Sequence, residues 1–293
     1  MNELGSEKTT IESNMMFFNL DKATDQISAR AKCIVNKLIE ERGHERPPFL
    51  PQEFARLVGI KDFKKIDLGQ TSAVLLRFQD GYVVKVNEKH HPVRQNFSFA
   101  HEIGHILFDE LGLGAYVKNI EYRTFNPQTS RRLRGKIVER LCDRAATELL
   151  MPELVFIKYL SGFGVSVHSI ERLANIFKVS AQATAIRIAE VSVKPCIALL
   201  WLARSGTKPK ALRLAWCAGP GIKSRGKAYY IPTHTNIRYP SVLHKAYEQD
   251  SHVKCHKLFK HGTEVKRLPM ESKGFGYGEN RTVISLAFLD RIK

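Results

Sequence analysis

The sequence lacks the marks of a membrane or secreted protein. Its 293 residues contain no run of about eighteen apolar residues, the length that identifies a membrane-spanning helix. Residues 1–8 have neither the basic stretch nor the apolar core of a secretion signal. We therefore expect a cytoplasmic protein with no membrane partner.

Cysteine is scarce and scattered. The five cysteines are odd in number and have no C-x-x-C spacing. Such a set indicates reduced thiols in a cytosolic protein rather than a disulfide framework. The positions are Cys33, Cys142, Cys196, Cys217 and Cys255.

Acidic residues are few for a chain of this length. There are 29 Asp and Glu against 46 Lys and Arg, which gives a formal net charge of +17. Residues 194–293 carry 19 Lys or Arg against 6 Asp or Glu, a balance of +13. A basic C-terminal third can contact nucleic acid or an acidic partner surface. The alternative, a basic face that only contacts solvent, stays open because net charge informs non-specific binding alone.

The most informative motif is His101-Glu102-Ile103-Gly104-His105, an H-E-x-x-H sequence within a segment, 96–111, of helical apolar spacing. Four residues on a helix advance about 400°, so the two histidines share one face. Two imidazoles placed in this way can hold one zinc ion, and Glu102 can take a proton from water at that ion. The alternative is a pair of surface histidines that hold no metal.

A second motif lies in residues 139–152. A zinc site with two histidines needs a third protein ligand and an open position for water, and a carboxylate is a standard choice. Glu139 and Asp143 share one helix face, so Glu139 is the predicted third ligand. Asp143 is predicted to accept the outward N–H of a ligating histidine. Considered alone, the acids also fit a solvated face that pairs with Arg140 and Arg144.

Together the two motifs resemble the ImmA/IrrE family of bacterial and phage metallopeptidases. The likeness covers residues 20–190 and rests on segment 96–108 and on segment 139–152, which ends in Glu-Leu-Leu-Met-Pro. The chain departs from the family at Cys142-Asp143, where members commonly carry Ala-Asn, and at Ala145, where an aromatic residue is usual. The departures alter packing or the groups around the ligands and leave the predicted ligands in place.

The predicted activity is metal-dependent peptide hydrolysis. Glu102 is the predicted general base of a zinc endopeptidase, with manganese as the alternative metal. The donor that would stabilise the oxyanion is not assigned; the candidates are Tyr116, Tyr122, His90 and His91. The resemblance implies that the substrate is a helix-turn-helix transcriptional repressor, whose cleavage releases stress-response or mobile-element genes.

A non-enzymatic hypothesis stays open beside this one. The chain could be a repressor antagonist or a DNA-binding regulator whose metal site is structural. Glu102 argues against that hypothesis, because a structural site needs only ligands and is usually closed by a fourth.

The patterning predicts an α+β fold in which a mostly helical zincin-like core with a small β-sheet comes first. A helix-turn-helix-like segment and a small mixed α/β domain follow, and by resemblance that last domain is GAF-like and regulates activity or binds partners. A hairpin is predicted over residues 72–86, turning at 79–81. The predicted divisions are a loose lead-in (1–20), the peptidase domain (21–152), the helical segment (153–193) and the last domain (194–293).

The helical segment and the last domain contain two further candidates for binding. Residues 169–190 predict helix, turn, helix with Ser180 as the N-cap, and a DNA-reading helix would present Gln182, Thr184 and Arg187. We favour packing of this pair on the peptidase core. The group His252, Cys255, His256 and His261 matches no zinc-finger spacing, so we interpret it as a surface stretch rich in histidine.

Overall fold

The computed structural model describes the backbone of residues 3–115, 127–203, 211–219, 229–230, 235–249, 251–261 and 264–289. The chain divides into two compact units, residues 1–152 and 153–293. No helix within these described ranges combines the length and the apolar content needed to cross a bilayer.

The first unit combines helices with a small sheet. Helix α1 begins at Glu3, so the expectation of a loose lead-in is wrong for residues 3–20. No proline precedes Pro47, and the chain can therefore continue one helix from its start to Arg42. The elements are α1 (Glu3–Arg42), α2 (Pro51–Phe54), a 3-10 turn (Ala55–Val58), β1 (Ile60–Ile66), β2 (Ala73–Phe78), β3 (Gly81–Asn87), α3 (Pro92–Glu110) and α4 (Pro127–Leu150).

The three strands form one sheet in the order β1-β3-β2, in which β3 is antiparallel to β2 and parallel to β1. The predicted hairpin is present, and its turn ends at Gly81, whose φ is 149°. A Cβ at this position would lie 2.7 Å from the carbonyl oxygen of Gly59, so only glycine fits. Strand β1 was not predicted, because its charged sequence is exposed at most positions.

Helix α3 is central to the first unit and packs against both the sheet and α4. Its buried face includes Phe99, Ile103 and Leu107, and the ring of Phe99 stacks on that of Phe63 in β1 at 4.8 Å. Burial of each such side chain contributes about 1.5–3 kcal/mol. Helix α4 begins at Pro127, and residues 116–126, which precede it, lie outside the described ranges.

The second unit combines a helical segment with an antiparallel sheet of order β6-β8-β9-β10-β4-β5-β7. Residues 194–293 contain both strands and a helix, in agreement with the mixed α/β pattern expected there. The bounds are α5 (Glu153–Phe163), α6 (Val167–Phe177), α7 (Ala181–Val191), β4 (Cys196–Ala203), β5 (Leu212–Ala218), β6 (Tyr229–Tyr230), β7 (Asn236–Ile237), α8 (Val242–Gln249), β8 (Val253–His261), β9 (Glu264–Phe275) and β10 (Thr282–Phe288).

One face of this sheet packs on α8. Trp201 is fully buried there together with Phe259 and Leu268, against Leu243 and Tyr247 of the helix. The indole N–H of Trp201 donates to Ser285 Oγ at 3.0 Å, and that hydroxyl also contacts Ser272 Oγ at 2.7 Å. The polar atoms within this apolar core are therefore paired, as buried polar atoms require.

Helices α6 and α7 are joined by a short connection, residues 178–180. Ser180 caps α7 by accepting a hydrogen bond from the backbone N–H of Ala183. Two of the three candidate base-reading side chains, Thr184 and Arg187, are fully buried. The hypothesis that they contact DNA is therefore wrong for this conformation, because a base-reading side chain must be exposed.

Candidate metal centre

Helix α3 places the two histidines of the H-E-x-x-H motif side by side. Pro92 occupies its first turn, where no N–H is needed, and the His91 ring accepts from the Val93 N–H at the N-terminus. The imidazole centroids of His101 and His105 are 5.0 Å apart, and their planes differ by 72°. Both side chains are partly buried, so their nitrogens face a site that is only partly open to water.

Helix α4 brings the carboxylate of Glu139 to the same place. Glu139 Oε2 lies 3.2 Å from His101 Nε2, and Oε1 lies 3.9 Å from His105 Nε2. The Glu139 side chain is 59% exposed, so the third donor borders solvent. The structure thus brings together the three side chains that the sequence predicts as ligands.

Asp143 fixes the tautomer of His101. Its Oδ1 atom lies 2.9 Å from His101 Nδ1, and a carboxylate can only accept, so Nδ1 carries a proton. In neutral His101 the Nε2 lone pair then faces Glu139 Oε2 across 3.2 Å. Two acceptors facing one another require a proton or a cation between them, so these donors fit a divalent metal such as zinc.

The pKa values of the two histidines move in opposite directions. Burial opposes a charge on His101, but the hydrogen bond and charge of Asp143, with Glu139 and Glu102, outweigh it and raise the His101 pKa. Burial lowers the His105 pKa, and the neighbouring His101 adds to this shift. A proton taken up by this pair of histidines therefore binds His101 in preference to His105.

Glu102 is partly buried between α3 and the sheet. Burial raises the pKa of its carboxyl, and Glu139 adds to this shift, whereas the positive charge of His101 and a hydrogen bond from the Leu75 backbone in β2 oppose it. A raised pKa makes Glu102 a stronger base at neutral pH.

Cys142 also reaches this site, although it was not among the predicted ligands. Its sulfur and one nitrogen from each of His101 and His105 all lie within 4.8 Å of one another. Burial, together with the charges of Glu139, Asp143 and Glu102, raises the pKa of the Cys142 thiol. The signal that could have identified it is its position three residues after Glu139, on the same helix face.

The four candidates for an oxyanion donor differ in their hydrogen bonds and in whether the structure describes them. The Nδ1 atom of His90 is buried and has no hydrogen-bond partner among the described residues, whereas His91 is engaged as the α3 cap. Tyr116 and Tyr122 lie outside the described residues. Arg77 in β2, which the sequence reasoning missed, pairs with Asp109, and its charge contributes to the lowered pKa of His105.

Comparison with known proteins finds a family model that spans this site. Residues 57–189 match the Peptidase_M78 family model, the IrrE N-terminal-like domain. The radiation response metalloprotease IrrE of Deinococcus radiodurans is 33% identical over 115 residues, which cover 39% of this chain and 33% of that protein. The protein of the same name from Deinococcus deserti is 31% identical over 116 residues, covering 40% and 39% respectively. The match thus spans less than half of either relative.

A solved structure resembles a larger part of the chain. The fold of a Mycobacterium tuberculosis transcriptional regulator matches with a TM-score of 0.57 and covers 92% of this chain and 80% of that one. The two sequences are 15% identical, so this likeness concerns the fold alone.

Proposed function

We propose that the chain is a zinc-dependent endopeptidase of the ImmA/IrrE family, because residues 57–189 match the IrrE N-terminal-like domain model. The observation that carries this proposal is the convergence of His101, His105 and Glu139 beside the partly buried Glu102. Three protein donors leave one position of a tetrahedral zinc site for water. Manganese is the alternative metal.

The proposed chemistry assigns one task to each side chain. His101, His105 and Glu139 hold the metal, and Asp143 orients His101 through the Nδ1 contact. When bound, zinc makes water more acidic and polarises a carbonyl group. Glu102 takes a proton from the attacking water and delivers a proton to the leaving amine, for which a raised pKa is suited.

The edge of the small sheet offers a place for the substrate. Strand β2 pairs with β3 on one side, and no strand among the described residues covers its other side. The Leu75 backbone donates to Glu102, so this strand borders the base. An extended peptide can add to such an edge through main-chain hydrogen bonds. We propose that the scissile peptide lies along β2.

By family resemblance, the proposed substrate is a small helix-turn-helix repressor, whose cleavage releases stress-response or mobile-element genes. A neighbouring gene that encodes such a repressor identifies the protein to use as substrate. The purified chain and that repressor are incubated with zinc, and fragments are followed on a gel. Cleavage at one site that stops when a chelator is added is expected.

Glu102→Gln separates cleavage from binding. The amide keeps the shape of the side chain but cannot act as a base, so the cleavage rate should fall by about 10²–10⁴-fold while the metal stays bound. Glu110→Gln is the matched control, because Glu110 lies on the same helix and pairs with Arg30. Equal cleavage by Glu102→Gln and wild type would show that Glu102 is not the base.

One observation favours the non-enzymatic alternative, in which the chain is a DNA-binding regulator. One face of the β8–β9 pair exposes Lys254, His256, Lys260 and Arg267, and the register places Lys254 and His256 opposite Glu271 and Pro269. Only one acid, Glu271, lies among these partners, and its side chain is largely buried. This basic face suits a nucleic-acid backbone.

Charge reversal tests that alternative. Binding of a DNA duplex by the full chain should weaken steeply as salt increases, and the double variant Lys260→Glu, Arg267→Glu should bind less at every salt concentration. Lys65→Glu, at an exposed position of β1, is the control. If the wild-type chain does not bind DNA at low salt, the nucleic-acid hypothesis fails.

We also propose that residues 194–293 form a regulatory or partner-binding domain, GAF-like by resemblance. Where this domain meets the helical segment, the second unit contains a mostly apolar cavity of about 420 Å³, lined mainly by residues of the helical segment. Its lining includes Ile157, Leu160, Val191, Pro195 and Leu289. A cavity of this size fits a small apolar ligand.

A further inference from the structure

Helix α4 presents three potential donors to the metal centre. Glu139, Cys142 and Asp143 occupy positions i, i+3 and i+4, which lie on one helix face. Glu139 and Asp143 contact the nitrogens of His101. The Cys142 side chain is fully buried, and its sulfur lies within 4.8 Å of a nitrogen of both His101 and His105.

The close approach of Cys142 depends on Gly104. A Cβ atom at position 104 would lie 2.7 Å from the Cα atom of Cys142 and 2.8 Å from its carbonyl oxygen. The helices α3 and α4 can therefore cross this closely only because residue 104 has no side chain. The crossing holds the thiol directly beside the two imidazoles of the H-E-x-x-H motif.

We propose that the Cys142 sulfur is a fourth protein ligand of the metal held by His101, His105 and Glu139. This inference rests on the metal centre of the proposed function. Thiolate sulfur is a preferred zinc ligand, and coordination exchanges the thiol proton for the metal ion, with the proton released to solvent. Four protein ligands close a tetrahedral zinc site.

A closed site has a consequence for activity. A water molecule needs the fourth position in order to react, so it must displace the sulfur, and the wild-type chain should therefore cleave more slowly than a variant without the sulfur. Removal of the sulfur should increase the rate of cleavage, whereas removal of any of the other three ligands should abolish it. Cys142 would then hold the site in a resting state and would take no part in the reaction itself.

Cobalt substitution tests this inference without any substrate. The full-length chain is loaded with Co²⁺, and its near-ultraviolet absorption is recorded, because a thiolate ligand adds an intense sulfur-to-cobalt charge-transfer band. The wild-type protein should show the band. Cys142→Ala and Cys142→Ser should bind one Co²⁺ and lose the band, and Cys196→Ala, which removes a buried thiol of the second unit, should keep it.

The possible outcomes distinguish failure of the proposed sulfur ligand from failure of the proposed metal centre. Bound Co²⁺ without a charge-transfer band in the wild-type protein would overturn the sulfur ligand alone, as would a band that persists in both Cys142 variants. A wild-type protein that binds no Co²⁺ would overturn the metal centre and, with it, this inference. Circular dichroism of the two variants establishes that the loss of the band is not a loss of fold.

Discussion

The sequence contains two groups of histidines, His101 with His105 and His252 with His256 and His261. Among the described residues, only the first group brings its side chains together at one site. His101 and His105 lie four residues apart on a helix, and their rings are 5.0 Å apart. His256 lies on strand β8 next to Cys255, and neighbouring residues of a strand point to opposite faces of the sheet. Cys255 is accordingly partly buried, whereas His256 is exposed.

The comparison shows that a metal site needs more than a concentration of donors. Spacing must match the period of the element, and a second element must bring a further donor. Helix α4 does this for His101 and His105. His252 instead contacts the ring of His168 at 4.6 Å and Glu271 at 3.6 Å, and within the described ranges no second group of three donors lies within 4.8 Å of one another.

Asp143→Ala should cause the clearest loss of metal affinity among substitutions that leave the proposed ligands His101, His105 and Glu139 in place. Loss of the acceptor leaves the Nδ1 proton of His101 unpaired and its ring free to rotate, so metal affinity should fall by roughly 10–100-fold. Competition with a chelator measures the change, and Asp80→Ala, on the hairpin turn, serves as a control. Unchanged affinity would assign Asp143 to a surface ion pair.

Gly104→Ala should disturb the helix crossing that supports the site. The added methyl group would meet the Cys142 backbone, and overpacking of this kind costs about 1–3 kcal/mol of the free energy of unfolding. Gly135→Ala is a matched control, because Gly135 is exposed in α4 with nothing within 4 Å, and alanine there should stabilise the helix by about 1 kcal/mol. Chemical denaturation measures both changes, and equal stabilities would contradict the proposed crossing.

The smallest change in metal content is expected from a fragment that lacks the second unit. This fragment has lost His252, Cys255, His256 and His261. A fragment of residues 1–152 contains all the proposed ligands, so its metal content should equal that of the full chain. It ends at Pro152 because α5, α6 and α7 belong to the second compact unit. Elemental analysis of the folded fragment measures its metal content. Loss of the metal, or failure to fold, would show that the first unit depends on the second.

Local signals account for most of what the sequence could predict. The H-E-x-x-H spacing, the turn at Gly81 and the cap at Ser180 are each determined by a few neighbouring residues, and each predicted element is present. Strand β1 depends instead on pairing with the distant β3, and charged side chains conceal its pattern. Tertiary contacts of this kind are not visible in local periodicity.

The same distinction applies to the site. The position of Glu139 beside the histidines could be predicted, because a carboxylate at a suitable helical spacing is a familiar zinc ligand. Cys142 was not predicted. Its helical position relative to Glu139 is visible in the sequence, but its distance from the histidines results from the close crossing of α3 and α4 at Gly104. The approach of Arg77 toward His105 likewise depends on how β2 packs against α3.

Metal content tests the central claim most directly. Wild-type protein, His105→Ala and His256→Ala are purified in parallel, dialysed against zinc-buffered solution and analysed for bound metal. If His101, His105 and Glu139 hold the metal, we expect about one zinc per chain in the wild-type protein and in His256→Ala, and a large loss of zinc in His105→Ala. Zinc that is retained in His105→Ala but lost in His256→Ala would contradict the account and place the metal in the second unit.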